Sequence, residues 1–251
     1  MKYLACIQAR YGSSRLPGKI LMDLQGKPVL QRVIERVEQS KKVDETIVIT
    51  SANKDDLNTI KLVSNLGNRV MVGAQDDVLD RYYQTTRLLE PEYVIRITAD
   101  CPVFDAQILD EAIALLEADS DYMAAISETL ADGLDREIIK FSALKYAWEH
   151  ARLASEREHV TLYIRNHPEI FKLQDFICPL GQIGNYRLTI DELEDYQLIH
   201  QIYEHFGDKM FFTQEILDFL AENPQLIEIN KKFARNEGLK KSLENDYIVR
   251  R

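Results

Sequence analysis

Through the first half of the chain, short apolar runs alternate with stretches whose apolar positions recur every three or four residues. Tyr3–Gln8, 45–50, 69–72 and Tyr93–Thr98 are brief runs bounded by polar or turn-forming residues, a pattern that predicts buried strands. Between the first two, Val29, Leu30, Val33, Ile34 and Val37 fall on one helical face, with Pro28 at the position where a first-turn proline is tolerated. Residues 76–89 and 105–117 repeat the helical spacing. Strand and helix in alternation mark βα units, so the pattern predicts an α/β fold with helices on both faces of a mixed, mainly parallel sheet.

Past residue 120 the order loosens. Runs 122–126, 137–141, 171–177 and 186–189 read as further strands that extend the sheet, interspersed with helices, one of which carries the single tryptophan, Trp148, as a core residue. Leu193, Tyr196, Ile199, Ile202, Tyr203 and Phe206 mark an amphipathic helix, and helical character continues to the C-terminus. No Gly/Ser-rich or Pro-rich linker, repeat or low-complexity tract interrupts the chain. The expected organisation is a nucleotide-binding domain over 1–206 with a helical extension of the same domain over 207–251.

Composition narrows the function classes. The 251 residues carry a formal charge of −10, which argues against a passive binder of nucleic acid. The charge is unevenly placed, with a net +6 over 1–42, +4 over 231–251 and −20 between them. An anion site is therefore expected near the N-terminus, and the basic tail is expected either to close over it or to serve a partner subunit. Cys6, Cys101 and Cys178 are an odd, widely spaced set that offers neither a disulfide framework nor a zinc pattern. The apolar run 3–7 is too short for a signal peptide, and no run approaches the roughly 18 apolar residues of a membrane span. A soluble cytoplasmic protein with no membrane partner is the expectation.

The densest chemical signal is Gln8-Ala9-Arg10-Tyr11-Gly12-Ser13-Ser14-Arg15-Leu16-Pro17-Gly18-Lys19, which gathers two glycines, two serines and three cations without an acid. A loop leaving the carboxyl end of an α/β strand can turn free backbone N–H groups and cationic side chains toward a phosphate. It is not a Walker A loop, because five residues rather than four precede Gly18-Lys19 and Ile20 replaces the Ser/Thr. A solvated basic turn is the plain alternative. Asp100, just past the run 93–98, stands where a carboxylate can face a ligand and bind a divalent cation, or where it can simply bond its own turn. Asp191, followed by Glu194, has the spacing of a helix N-cap and capping box; one oxygen of a cap remains free for a metal.

Several blocks occur together in order: Ile7-Gln8-Ala9-Arg10 with Arg15-Leu16-Pro17-Gly18-Lys19, Gly26-Lys27-Pro28, Asp76-Asp77-Val78-Leu79, Arg96-Ile97-Thr98-Ala99-Asp100-Cys101-Pro102, Asp132-Gly133-Leu134-Asp135, Arg157-Glu158-His159-Val160-Thr161 and Asp191. This series resembles the cytidylyltransferases that activate sugar acids, above all the branch named for the spore coat polysaccharide biosynthesis protein SpsF. The resemblance implies a nucleotide-diphospho-sugar transferase fold, GT-A-like and Rossmann-like, with CTP as donor, magnesium as cofactor and a homodimer. It implies that Arg10, Ser13, Ser14, Arg15 and Lys19 hold the triphosphate, with Arg10, Arg15 and Lys19 acting in catalysis. Asp100 and Asp191 would ligate the metal, and Ala9, Ser51, Gln75 and Asp77 would surround the base. Octulosonate enzymes carry Gly-Asp-Glu-Pro where this chain has Ala99-Asp100-Cys101-Pro102, so that sugar does not carry over as the acceptor; SpsF-like enzymes take diverse acids, phosphonates included.

The reaction expected from the resemblance is in-line attack of an acceptor oxygen on the α-phosphorus of CTP with loss of pyrophosphate. Asp132, Asp135, Arg157 and His159 are the expected contacts of a small anionic acceptor, His159 as a base or a binding residue. Two alternatives stand beside this one. A glycosyltransferase on the same fold would usually present Asp-x-Asp where this chain has Asp100-Cys101-Pro102, and a nucleotide-binding protein without catalysis would release no pyrophosphate.

Overall fold

A computed structural model describes residues 1–249. The strands are β1 (Tyr3–Gln8), a two-residue hairpin of β2 (Asp23–Leu24) and β3 (Lys27–Pro28), β4 (Glu45–Ser51), β5 (Arg69–Gly73), β6 (Tyr93–Thr98), β7 (Tyr122–Ala124), β8 (Glu137–Lys140) and β9 (Leu173–Asp175). The helices are α1 (Val29–Val37), α2 (Leu57–Asn65), α3 (Val78–Thr86), α4 (Ala106–Leu115), α5 (Phe141–His150), α6 (Ala154–Glu158), α7 (Leu162–Asn166), α8 (Leu193–Phe206), α9 (Thr213–Glu222) and α10 (Glu237–Glu244).

Seven strands form one sheet in the order β5-β4-β1-β6-β8-β7-β9. The pairs β1/β4, β1/β6, β4/β5 and β7/β9 are parallel, and β8 alone runs against its neighbours β6 and β7. Chain order reverses between β1 and β6, whose ends meet with Gln8 opposite Thr98. Such a reversal leaves a crevice beyond the carboxyl ends of the strands, where ligands of open α/β sheets bind.

Alternation along β1 divides the core between the two faces. Ala5 and Ile7 pack with Leu30, Val33, Ile34 and Val37 of α1 and with Ile108, Leu109 and Ala112 of α4. Leu4 and Cys6 pack with Val78, Leu79 and Tyr82 of α3 and with Ala143, Leu144 and Ala147 of α5. Burying a Leu or Val is worth about 1.5–3 kcal/mol against tenths for intrinsic helix preference, so the apolar stripe decides where these helices form. A third cluster joins Leu198, Ile199, Ile202 and Tyr203 of α8 to Ile216 and Leu220 of α9 and to Leu130, Leu134, Leu188 and Ile190.

The loop after β6 is clamped from several sides. Arg36 of α1 is buried and donates to the carbonyls of Phe104 and Phe211 at 2.6 Å each, and Tyr203 donates to the Pro102 carbonyl. Asp105 caps α4 through the N–H groups of Gln107 and Ile108 and accepts from Thr213.

Two expectations need correction, and one helix has no counterpart among them. Residues 186–189 are not a strand: Leu188 is fully buried in the third cluster, and pairing there is limited to an isolated bridge between Asp132 and Arg187. Residues 57–65, whose only buried positions are Thr59 and Val63, form a helix with too thin an apolar stripe to read from the sequence. Asp191 does not cap α8; Glu192 is the N-cap and Asp195 closes the capping box, because Asp195 turns back to accept from the N–H groups of both Asp191 and Glu192. The tail is helical in α9, in a 3-10 turn over Pro224–Ile229 and in α10, but no longer so at 245–249.

Candidate active site

Three clefts meet in a line across the carboxyl ends of β4, β1 and β6. The first is small and lined by Arg10, Gly12, Ser51, Asn53, Asp55, Asp56 and Gln75. The second, of about 320 Å³, shares Arg10 and Gly12 with it and adds Ser13, Ser14, Arg15 and Lys19. The third, of about 260 Å³, shares Thr98, Asp100 and Asp191 with the second and opens toward Asp132, Asp135, Arg136, His159 and Arg165.

Lys19 is the pivot. Gly18 holds a left-handed backbone (φ +74°) tight against the Tyr11 ring, which bends the loop so that Lys19 starts a 3-10 turn and points inward with only 7% of its surface exposed. Its Nζ lies 2.6 Å from Asp100 Oδ2 and 2.7 Å from Asp191 Oδ1. Backbone contacts bring those two carboxylates together: Ile190 N–H and Thr189 Oγ1 both donate to the Asp100 carbonyl. Burial alone would lower the lysine and raise the aspartate. The mutual attraction outweighs it, so Lys19 stays charged above its ordinary range and Asp100 is held down at about 2.

The rest of the cationic loop divides into paired and unpaired groups. Arg15 lies 2.9 Å from Asp191, 3.4 Å from Glu192 and 3.5 Å from Glu237. Ser13 Oγ accepts from the Leu16 N–H at 3.3 Å and so shapes the turn. Ser14 and Arg10 are exposed, and Arg10 has no ion pair among the described residues. Ala9 is buried and bonded through its N–H to Ile49, so it offers the cleft no side chain.

At the first cleft, Gln75 accepts from Asn53 at 2.7 Å, and Ser51 donates to Asp56, which in turn accepts from the Tyr11 N–H at 2.5 Å. Arg81 fixes the backbone beneath: it is 1% exposed and donates through Nε and Nη2 to the carbonyls of Ala74 and Gln75. Neither Asp56 nor Arg81 stands out in the sequence, because each acts through a partner distant along the chain or through backbone.

Two expected contacts are corrected here. Asp77 does not line the first cleft, nor Arg157 the third. Asp77 caps α3 through the Asp80 N–H, and the Arg157 guanidinium donates to its other oxygen at 2.9 and 2.5 Å while also reaching the Trp148 carbonyl. Arg157 sits near the end of α6 and is 3% exposed, so the two groups satisfy each other on the α3 side of the sheet. Trp148 is stacked on Tyr83 and donates to Asp80, a core role as expected.

At the third cleft, Arg187 organises the carboxylates. It contacts Asp132 at 2.7 Å, Asp191 at 3.3 Å and the fully buried Asp195 at 2.8 Å. Burial and the neighbouring Asp135 push the Asp132 carboxyl up to about 6 despite Arg187. Asp135 is raised too, chiefly by burial, and lies 2.5 Å from Arg235. Gly133 separates them at φ +97°, and a Cβ there would collide with the Leu188 carbonyl. His159 Nε2 is 2.9 Å from Ser242 Oγ, which donates to Glu158. Burial lowers the imidazole below its usual range, which makes the ring neutral and a post for α10. The wall behind is a network in which Glu137 accepts from Arg96, Tyr122 and Thr161.

No group of three or more His, Cys, Asp or Glu side chains among the described residues forms a metal cage by itself. Asp100 and Asp191 nevertheless converge on one cationic atom, and two hard carboxylates beside a cleft with a cationic wall fit a hard divalent ion.

Comparisons with known proteins give the family and the fold. Residues 4–233 match the family model described as cytidylyltransferase. The spore coat polysaccharide biosynthesis protein SpsF of Bacillus subtilis is 35% identical over 88% of this chain and 95% of its own. A solved cytidylyltransferase from Leptospira borgpetersenii is 30% identical with a TM-score of 0.87, covering 94% of this chain and all of that one. CMP:2-keto-3-deoxy-manno-octonic acid synthetase solved with CTP shares the fold at 18% identity and a TM-score of 0.61, over 82% of this chain and 99% of that one. By that match over residues 4–233 and the SpsF relative, the chain belongs to the cytidylyltransferase family as an SpsF-like, CTP-dependent nucleotidyltransferase.

Proposed function

We propose that the protein transfers CMP from CTP to a small anionic acceptor, a sugar acid or phosphonate, and releases pyrophosphate with magnesium as cofactor. The observation that carries this reading is the shared wall of Thr98, Asp100 and Asp191 between the second and third clefts. With the base beside Ser51 and Gln75, the α-phosphate sits at that wall facing an acceptor in the third cleft, and the β- and γ-phosphates turn away from the acceptor along Arg10 to Lys19. An acceptor oxygen then forms the new P–O bond as the bond to the β-phosphate oxygen breaks, and the pyrophosphate departs along the cationic loop. Such a transfer asks the protein mainly for alignment and charge neutralisation. Asp100 and Asp191 would hold the magnesium, whose chemistry is to neutralise phosphate charge. Arg10, Arg15 and Lys19 do so from the loop, and Asp132 takes the proton when the acceptor oxygen is a hydroxyl.

Pyrophosphate release from CTP and magnesium, followed across a panel of sugar acids and phosphonates, tests the reading. Release must depend on one of these acceptors, and Asp100→Asn must abolish it while retaining the wild-type circular dichroism. Acceptor-independent release, or undiminished release by Asp100→Asn, rejects it.

A further inference from the structure

We propose that Lys241, carried by α10, is a phosphate-binding residue of the nucleotide cleft and, with Arg10, supplies the positive charge that the loop itself has already neutralised. The inference rests on the triphosphate reading of that cleft.

Four cations line the second cleft: Arg10, Arg15, Lys19 and Lys241. Two of them already have carboxylate partners. Lys19 is held between Asp100 and Asp191, and Arg15 among Asp191, Glu192 and Glu237. Arg10 and Lys241 have no ion pair among the described residues, whereas Lys231 and Lys232 nearby in the tail are paired with Glu228 and Glu194. Two unneutralised cations sharing one cleft repel each other, and an anion between them converts that repulsion into attraction.

The placement of α10 is specific rather than incidental. None of its residues is buried, so apolar packing does not decide where it lies. Polar contacts fix it at both ends. Before it, Arg235 donates to the Leu130 carbonyl and pairs with Asp135. Toward its end, Ser242 bridges His159 and Glu158, Asp246 accepts from the Ser155 N–H and hydroxyl, and the following segment exchanges backbone bonds with Arg152 and Ala154. Held in this way, Gly238, Lys241 and Ser242, spaced as one helical face, line the cleft. Lys240 belongs to a different hollow with Leu239, Leu243 and Glu244.

Titration calorimetry with CTP and with inorganic tripolyphosphate, on wild type, Lys241→Gln, Lys241→Arg and Lys240→Gln, tests the assignment. Lys241→Gln should weaken both ligands roughly tenfold, the scale of one charge-assisted hydrogen bond. Lys241→Arg should recover most of the loss, and Lys240→Gln should match wild type. In turnover the Lys241→Gln loss should fall on KM for CTP more than on kcat. Equal tripolyphosphate affinity in wild type and Lys241→Gln, or an equal loss in Lys240→Gln, overturns the inference. A loss confined to tripolyphosphate in a protein that ignores CTP supports Lys241 while rejecting the CTP reading.

Discussion

Arg157 donates two hydrogen bonds to a single oxygen of Asp77, at 2.9 and 2.5 Å, and by doing so removes both residues from the ligand clefts. Arg157→Gln leaves the cap of α3 without its counter-charge. Chemical denaturation should show a loss of about 2 kcal/mol, below the full cost of breaking a buried pair because Asp77 is partly exposed. Acceptor KM should stay within about twofold of wild type, and Asp77→Asn combined with Arg157→Gln should cost less than the sum of the two. A tenfold rise in acceptor KM at wild-type stability would return Arg157 to the binding site.

Lys19 stands where two carboxylates would otherwise repel. Lys19→Gln should lower kcat by about 10²–10³, the range for removing a preorganised donor from a charged transition state. It also removes the cation that Asp100 and Asp191 share, leaving Asp100 without an ion pair among the described residues. Magnesium without nucleotide should therefore raise the Tm of Lys19→Gln more than that of wild type, and Asp100→Asn added to the variant should cancel the rise. Equal magnesium shifts in all three proteins would contradict the two-carboxylate site.

Asp132, lifted to about 6, is protonated more readily in the folded protein than in the unfolded chain. Its ionisation therefore costs stability as pH rises from about 4 to about 6, and the cost is complete above that. Relative to wild type, Asp132→Asn should gain stability in urea between pH 4 and pH 8. For a hydroxyl acceptor, wild-type kcat/KM should rise through about pH 6, a limb the variant should lack. A stability difference that does not change with pH would show that Asp132 titrates normally.

Gly133→Ala should be among the most damaging small substitutions. It combines a left-handed backbone with a collision at the Leu188 carbonyl, and a loss of about 2–3 kcal/mol is expected by denaturation. Because the Asp132 N–H donates to the Tyr186 carbonyl and the Leu188 N–H donates to the Asp132 carbonyl across that contact, acceptor KM should rise in whatever fraction remains folded, with CTP binding less affected.

The parts of this protein that repeat a local period were legible in the sequence. β1 and β6 occupy the expected positions, and α1, α3, α4 and α8 fall inside or at the edges of the expected helices. The cationic loop was legible as a cluster because Arg10, Ser13, Ser14, Arg15 and Lys19 come from one short segment and line one cleft. Partners far apart in sequence were not. Arg187 looks like one cation in a short apolar stretch until the fold sets it among Asp132, Asp191 and Asp195. Residues 186–189 have strand-like composition, yet Leu188 and Thr189 are buried by packing rather than by a ladder of hydrogen bonds. The contact of His159 with Ser242 on the last helix was not legible, because it joins residues far apart in sequence.

The order of the strands has a consequence for how such a protein can change. The residues around the first two clefts come mostly from 8–20 and 51–75, and the third is walled mainly by 122–137 and 159–165, with Thr98, Asp100 and Asp191 at the seam and α10 facing both the second and the third. Under the proposed assignment, donor and acceptor recognition are separate paragraphs of one text. The second can be rewritten by substitution, or exchanged as a block with that of a relative, while the first keeps its meaning.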